Sequence, residues 1–152
     1  RGVFFSAKDS TGVSPIICYE SVYGEFVTGY VKNGANLLFV ITNDGWWGNT
    51  PGYHQHNSYS CLRAIETRRG IARSANTGIS SLINQRGEIL QQLGWWQRGA
   101  LKGVLNVNDK LTFYVRNGDY IGRSASFFAL LIVLLYGVTS VIQRSHKRTG
   151  AN

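Results

Sequence analysis

Two short apolar runs with a helical stripe between them constrain the fold of this chain more than any other feature. Pro15-Ile16-Ile17 and Leu37-Leu38-Phe39-Val40-Ile41 are apolar and rich in β-branched residues, as strands are. Between them Val22 and Tyr23, Phe26 and Val27, and Tyr30 and Val31 recur every four residues, the stripe of an amphipathic helix, and Asn33-Gly34 supplies its stop. Strand, helix and strand at this spacing predict a crossover unit and hence an α/β layered domain. The unbroken second run predicts a strand buried on both faces of its sheet. Before the first run, Val3-Phe4-Phe5 and a polar turn predict a leading strand and hairpin.

The first run stops at Cys18-Tyr19-Glu20, which places the cysteine at a strand-to-helix junction. There the free N–H groups and the positive dipole end of the first turn favour a thiolate, so Cys18 is a candidate nucleophile. Glu20 reads equally well as a first-turn carboxylate. The second run leads into residues 43–53, a glycine-rich aromatic loop at the same sheet edge. Its Trp46 and Trp47 either cap the core or line a pocket for an apolar substrate. A helix is predicted over 56–69, with Tyr59, Leu62 and Ile65 at threefold spacing, and Arg63 and Glu66 three apart on it form a local ion pair. Residues 71–76 and 79–84 predict paired strands, with Asn76 bracing the turn between them, and 103–107 predicts a last strand.

From 124 to 143 there are 20 residues without a formal charge. At about 1.5 Å per residue a helix of that length crosses the roughly 30 Å hydrocarbon core of a bilayer. Tyr120 before the run and Arg144, Lys147 and Arg148 after it read as interfacial anchors and favour a membrane span over a buried helix. Lys110, Arg116 and Arg123 precede the span, so flanking charge does not decide its orientation. The net charge of +8 is spread along the chain without a basic stripe, which argues against a nucleic-acid partner. His54 and His56 lack further ligands at metal-binding spacing, and neither a metal nor a cofactor is expected. Cys18 and Cys61 permit a disulfide without requiring one.

Ile17-Cys18-Tyr19-Glu20, Thr42-Asn43-Asp44-Gly45-Trp46-Trp47-Gly48, Gln55-His56, Arg63-Ala64-Ile65-Glu66 and Arg73-Ser74-Ala75-Asn76-Thr77-Gly78 together resemble the nitrilase, or carbon-nitrogen hydrolase, superfamily. The tryptophan loop, the Gln55-His56 pair and the terminal span are similar to its apolipoprotein N-acyltransferase branch. The resemblance implies an α-β-β-α sandwich, of which 1–110 is the C-terminal part, then a link over 111–123, a transmembrane helix over 124–143 and a basic tail over 144–152. It implies a bacterial inner-membrane enzyme whose catalytic domain faces the periplasm. Its partners are a phospholipid acyl donor and a lipidated apolipoprotein N-terminus. The acyl chain passes through a thioester on the cysteine to the α-amino group of a diacylglyceryl-cysteine. Cys18 is then the nucleophile, with Tyr19 and Glu20 in the catalytic set. Asn43, Trp46, Trp47 and His56 would bind substrate, and Arg63, Glu66 and Asn76 would support the site. The family pattern also needs a glutamate base and a lysine upstream of the cysteine; this sequence holds neither, so the chain alone is expected to be inactive. A small-amide hydrolase and a non-catalytic membrane-tethered binding domain are the competing readings.

Overall fold

The computed structural model describes residues 2–149, with side chains except at 141 and 144–149. The basic tail expected from 144 onward therefore lies largely outside the described residues. The chain divides into two units, Arg1–Gly118 and Asp119–Asn152.

The first unit holds one six-stranded sheet in sequence order: β1 (Phe4–Phe5), β2 (Gly12–Ile17), β3 (Leu37–Thr42), β4 (Gly70–Ala75), β5 (Ser80–Ile83) and β6 (Ile89–Leu93). β2, β3 and β4 are parallel, while β1, β5 and β6 run antiparallel to their neighbours. Parallel neighbours need long crossovers, and helices α1 (Gly24–Lys32) and α2 (Pro51–Thr67) supply them. Ile16, Leu38, Val40, Ile71 and Ile83 of the sheet form a core with Val27 and Val31 of α1, Ala64 of α2 and Val115 of the short helix α3 (Phe113–Asn117).

The other face is different. Ile17, Phe39 and Ile41 share one side of the pleat and remain 51%, 40% and 50% exposed. The expectation of a strand buried on both faces is thus corrected: β3 is covered by helices on one face only. A continuous apolar run reports what a strand can bury, not what lies on it.

Three further boundaries differ from expectation. The helix anticipated at Glu20 is split into a 3-10 turn over Cys18–Val22 and then α1, with Tyr23 extended between them. Gly24 opens α1 because a Cβ there would collide with the Tyr114 hydroxyl and crowd the Arg63 guanidinium. The second helix starts at Pro51, five residues earlier than predicted, with the Thr50 hydroxyl accepting from Gly52 N–H. Residues 103–107 form no strand. Their neighbourhood is held by side chains instead: Gln85 Nε2 donates to Asn106 O at 3.0 Å, Asn108 Nδ2 to Arg68 O at 3.0 Å, and Arg69 Nη1 to Lys110 O at 2.9 Å. The sixth strand is β6, whose Ile-Leu-Gln-Gln-Leu lacks the alternation that marks a strand.

The second unit is a single helix, α4 (Tyr120–Thr149), so helix begins before the expected 124. Its stretch Tyr120–Ser140, 21 residues, is long and apolar enough to cross a membrane by length and composition. At about 1.5 Å per residue it spans roughly 31 Å.

Candidate active site

β2 delivers Cys18 to the end of the sheet, and the backbone there turns sharply. Cys18 adopts φ +49°, a left-handed conformation that costs a residue with a Cβ on the order of 1 kcal/mol. The turn is braced from several sides. Glu20 Oε2 accepts from Ile17 N–H at 2.8 Å and from the Tyr30 hydroxyl at 3.2 Å. The Cys18 carbonyl has the Ser21 hydroxyl at 2.9 Å and His56 Nε2 at 3.2 Å. Cys18 and Cys61 are both free and half-buried, so the permitted disulfide does not form.

Beneath the cysteine lies a buried polar network. Asp44 is its hub: Oδ1 faces the Thr42 hydroxyl and His56 Nδ1, both at 2.9 Å, and Oδ2 receives Arg73 Nη2 at 2.7 Å. Arg73 also donates to Ser60 Oγ at 3.1 Å and to Ile79 O at 3.1 Å. Burial by itself would push the Asp44 carboxyl up, but the His56 hydrogen bond, the Arg73 charge and the Thr42 hydroxyl outweigh it and hold the group below its ordinary value. With Asp44 ionised, His56 carries its proton on Nδ1, an assignment made from the network. Nε2 then presents its lone pair to the Ser21 hydroxyl, 3.0 Å away. The Ser21 hydroxyl has one proton for two acceptors.

The expected site residues divide by depth. Tyr19 is 50% exposed and Trp46 80%, whereas Trp47 is half-buried with its ring 5.2 Å from His56 and 6.5 Å from Tyr19. His56, expected to bind substrate, is 2% exposed, with Asp44 at one ring nitrogen and Ser21 at the other. Asn43 is exposed, but its Oδ1 accepts from Gly45 N–H and the Thr77 hydroxyl, both at 3.1 Å, which braces the loop. Asn76 N–H donates to Thr42 O at 2.9 Å and ties the ends of β3 and β4. Arg63 pairs with Glu66 at 2.9 Å and donates through Nη1 to Val22 O at 3.0 Å, fastening α2 to the Cys18 turn. Lys8 sits in the turn before Gly12, at the opposite end of β2 from Cys18; the steps from Gly12 to Ile17 make about 17 Å.

Asp44, Arg73, Thr42 and Ser21 were not expected as site residues. Arg73 carried a usable signal, because a charge at an inward position of a buried strand requires a buried counter-charge. Among the described residues no group of three or more His, Cys, Asp or Glu could hold a metal ion.

Fold and site together define an α/β layered protein that presents a free cysteine at a strand end above a buried ionic network. The carbon-nitrogen hydrolase family model matches residues 4–109, and the chain belongs to that family. Among curated relatives, the apolipoprotein N-acyltransferase of Chlorobaculum tepidum is 35% identical over 136 residues, covering 88% of this chain and 26% of its own length. That of Thermotoga maritima is 38% identical over 130 residues, 86% of this chain and 25% of its own. The chain thus spans about a quarter of the length of these relatives. Among solved structures, an amidase from Nesterenkonia sp. AN1 carrying acrylamide on its active-site cysteine superposes with a TM-score of 0.56 at 19% identity, over 82% of this chain and 49% of that one. Saccharomyces cerevisiae Nit3, a nitrilase-superfamily member, gives 0.51 at 15%, over 64% and 38%. These likenesses show a nitrilase-type fold.

Proposed function

We propose that Cys18 is the nucleophile of an apolipoprotein N-acyltransferase. The observation that carries this reading is a free, half-buried thiol held on a left-handed turn at the end of β2, in a chain whose curated relatives bear that name. In the first step Cys18 Sγ attacks an ester carbonyl of a phospholipid. The C–O bond breaks, and the departing lysophospholipid oxygen takes a proton. In the second step the α-amino group of a diacylglyceryl-cysteine attacks the thioester carbon, the C–S bond breaks, and the thiolate returns as the nitrogen loses a proton. Splitting the transfer at a thioester replaces one hard step by two easier ones. The Tyr19 main-chain N–H is the nearest donor along the chain for the tetrahedral oxyanion. Glu20 keeps the turn in shape, and exposed Trp46 and Tyr19 offer apolar surface to an acyl chain.

The resemblance assigns the protons of both steps to a glutamate and the oxyanion to a lysine, both upstream of the cysteine, and this reading leaves those two roles to them. The helix Tyr120–Ser140 supports a membrane location, and the proposed site of reaction is the periplasmic face of a bacterial inner membrane.

The test uses the full-length protein with phospholipid labelled in its acyl chain. A hydroxylamine-labile adduct that disappears in Cys18→Ala supports the reading. Absence of the adduct from the wild type overturns it. Hydrolysis of small amides without lipid would then identify a hydrolase.

A further inference from the structure

We propose that Thr42 is a catalytic residue: its hydroxyl donates to the Cys18 sulfur whenever that sulfur is anionic. The inference rests on Cys18 being the nucleophile. Thr42 Oγ1 lies 3.3 Å from Cys18 Sγ and 2.9 Å from Asp44 Oδ1, and the side chain is 7% exposed at the last position of β3. One hydroxyl proton stands between two acceptors. While the cysteine is a thiol, the proton belongs on the Asp44 carboxylate, a charge-assisted bond, and the oxygen lone pair faces S–H. Once the sulfur carries the charge, rotation about the Thr42 C–O bond hands the same proton to it.

Asp44 makes that rotation affordable. It keeps His56 Nδ1 on Oδ1 and Arg73 Nη2 on Oδ2, so its charge is never left bare in a buried place. Thr42 supplies no proton to solution and takes none up; the S–H proton goes to the base that acts on Cys18. The hydroxyl turns towards sulfur when the thiolate forms, back to Asp44 in the thioester, and towards sulfur again when the thiolate departs. It therefore assists both half-reactions. The oxygen is held in place: Asn76 N–H secures the Thr42 carbonyl at 2.9 Å, and a β-branched side chain has few rotamers in a strand.

Other groups bear on the same sulfur and stay constant in the test. They are the Arg73 charge on β4, which acts on Cys18 directly, and the groups packed around it: Asp44 after β3, His56 and Cys61 on α2, and Tyr19 and Glu20 on the cysteine's own turn. Ala and Ser at position 42 differ only by the oxygen, so their ratio reads the hydroxyl whatever the lost methyl group costs, and Thr42→Val supplies an isosteric control. In the full-length protein, iodoacetamide alkylation of Cys18 is followed at neutral pH and at a pH where every thiol is ionised. Thr42→Ala and Thr42→Val are expected to react on the order of tenfold more slowly than Thr42→Ser and wild type at neutral pH, and at the same rate at high pH. Equal rates for Ala and Ser at neutral pH overturn the proposal. So does a deficit that persists unchanged at high pH, which would mark a structural role. Phospholipid acylation of the wild type is scored in parallel: its absence removes the acyltransferase reading, while the Ala-to-Ser ratio still judges the hydroxyl.

Discussion

Arg73 Nη2 and Asp44 Oδ2 stand 2.7 Å apart with both side chains at 0% exposure. A pair this dry is expensive to break from one side, because the survivor is a bare charge in the interior. Arg73→Met and Asp44→Asn should each cost about 3–5 kcal/mol, and the double variant should cost less than the two added together. Urea unfolding of the two single variants and the double variant measures the coupling.

Two carboxyls should pull stability in opposite directions with pH. Asp44 is held below its ordinary value, so its contribution is complete above the ordinary carboxylate range, near pH 4, and is lost as pH falls through the lower folded-state value. Glu66 is raised, because burial outweighs the opposing charge of Arg63. Its contribution is complete below the ordinary range and is lost as pH rises through the higher folded-state value. Asp44→Asn should flatten the acid limb of a stability-pH curve, and Glu66→Gln should raise the curve on the alkaline side of that range relative to the acid side. Thermal unfolding across pH checks both slopes.

The left-handed turn predicts an unusual ranking at the cysteine. Cys18→Gly and Cys18→Ala both remove the thiol and abolish acyl-adduct formation. Glycine relieves the strain at φ +49°, and this exceeds the freedom it adds to the unfolded chain. Cys18→Gly should therefore be more stable than Cys18→Ala by about 0.5–1 kcal/mol in a denaturation comparison.

The two thiols should be chemically distinct. Burial pushes the Cys61 thiol up, against a smaller opposing pull from Arg73, so it stays protonated at neutral pH. Peptide mapping after brief alkylation should find Cys18 modified and Cys61 intact, and Cys61→Ala should leave phospholipid adduct formation unchanged.

The layered fold and the position of Cys18 were legible because they rest on local patterns: the switch from strand to helix period, and a polar interruption at a strand end. Other features depend on contacts between distant segments. Thr42, Asp44, His56 and Arg73 meet through the parallel pairing of β3 with β4 and the packing of α2 on that sheet. Taken alone, Asp44 reads as a turn residue and His56 as a pocket residue. The early start of α2 was encoded in Thr50-Pro51, a capping residue followed by a proline at the first helical position, and was obscured by the glycines around it. β6 pairs through its backbone while its side chains follow no periodic rule, so no pattern announced it.

The uncovered side of the sheet carries Ile17 immediately before Cys18. That apolar face turns away from the side on which Thr42 Oγ1 meets Cys18 Sγ. Replacing Phe39 with a polar residue therefore changes how the sheet meets water while leaving the sulfur's hydrogen-bond partner in place.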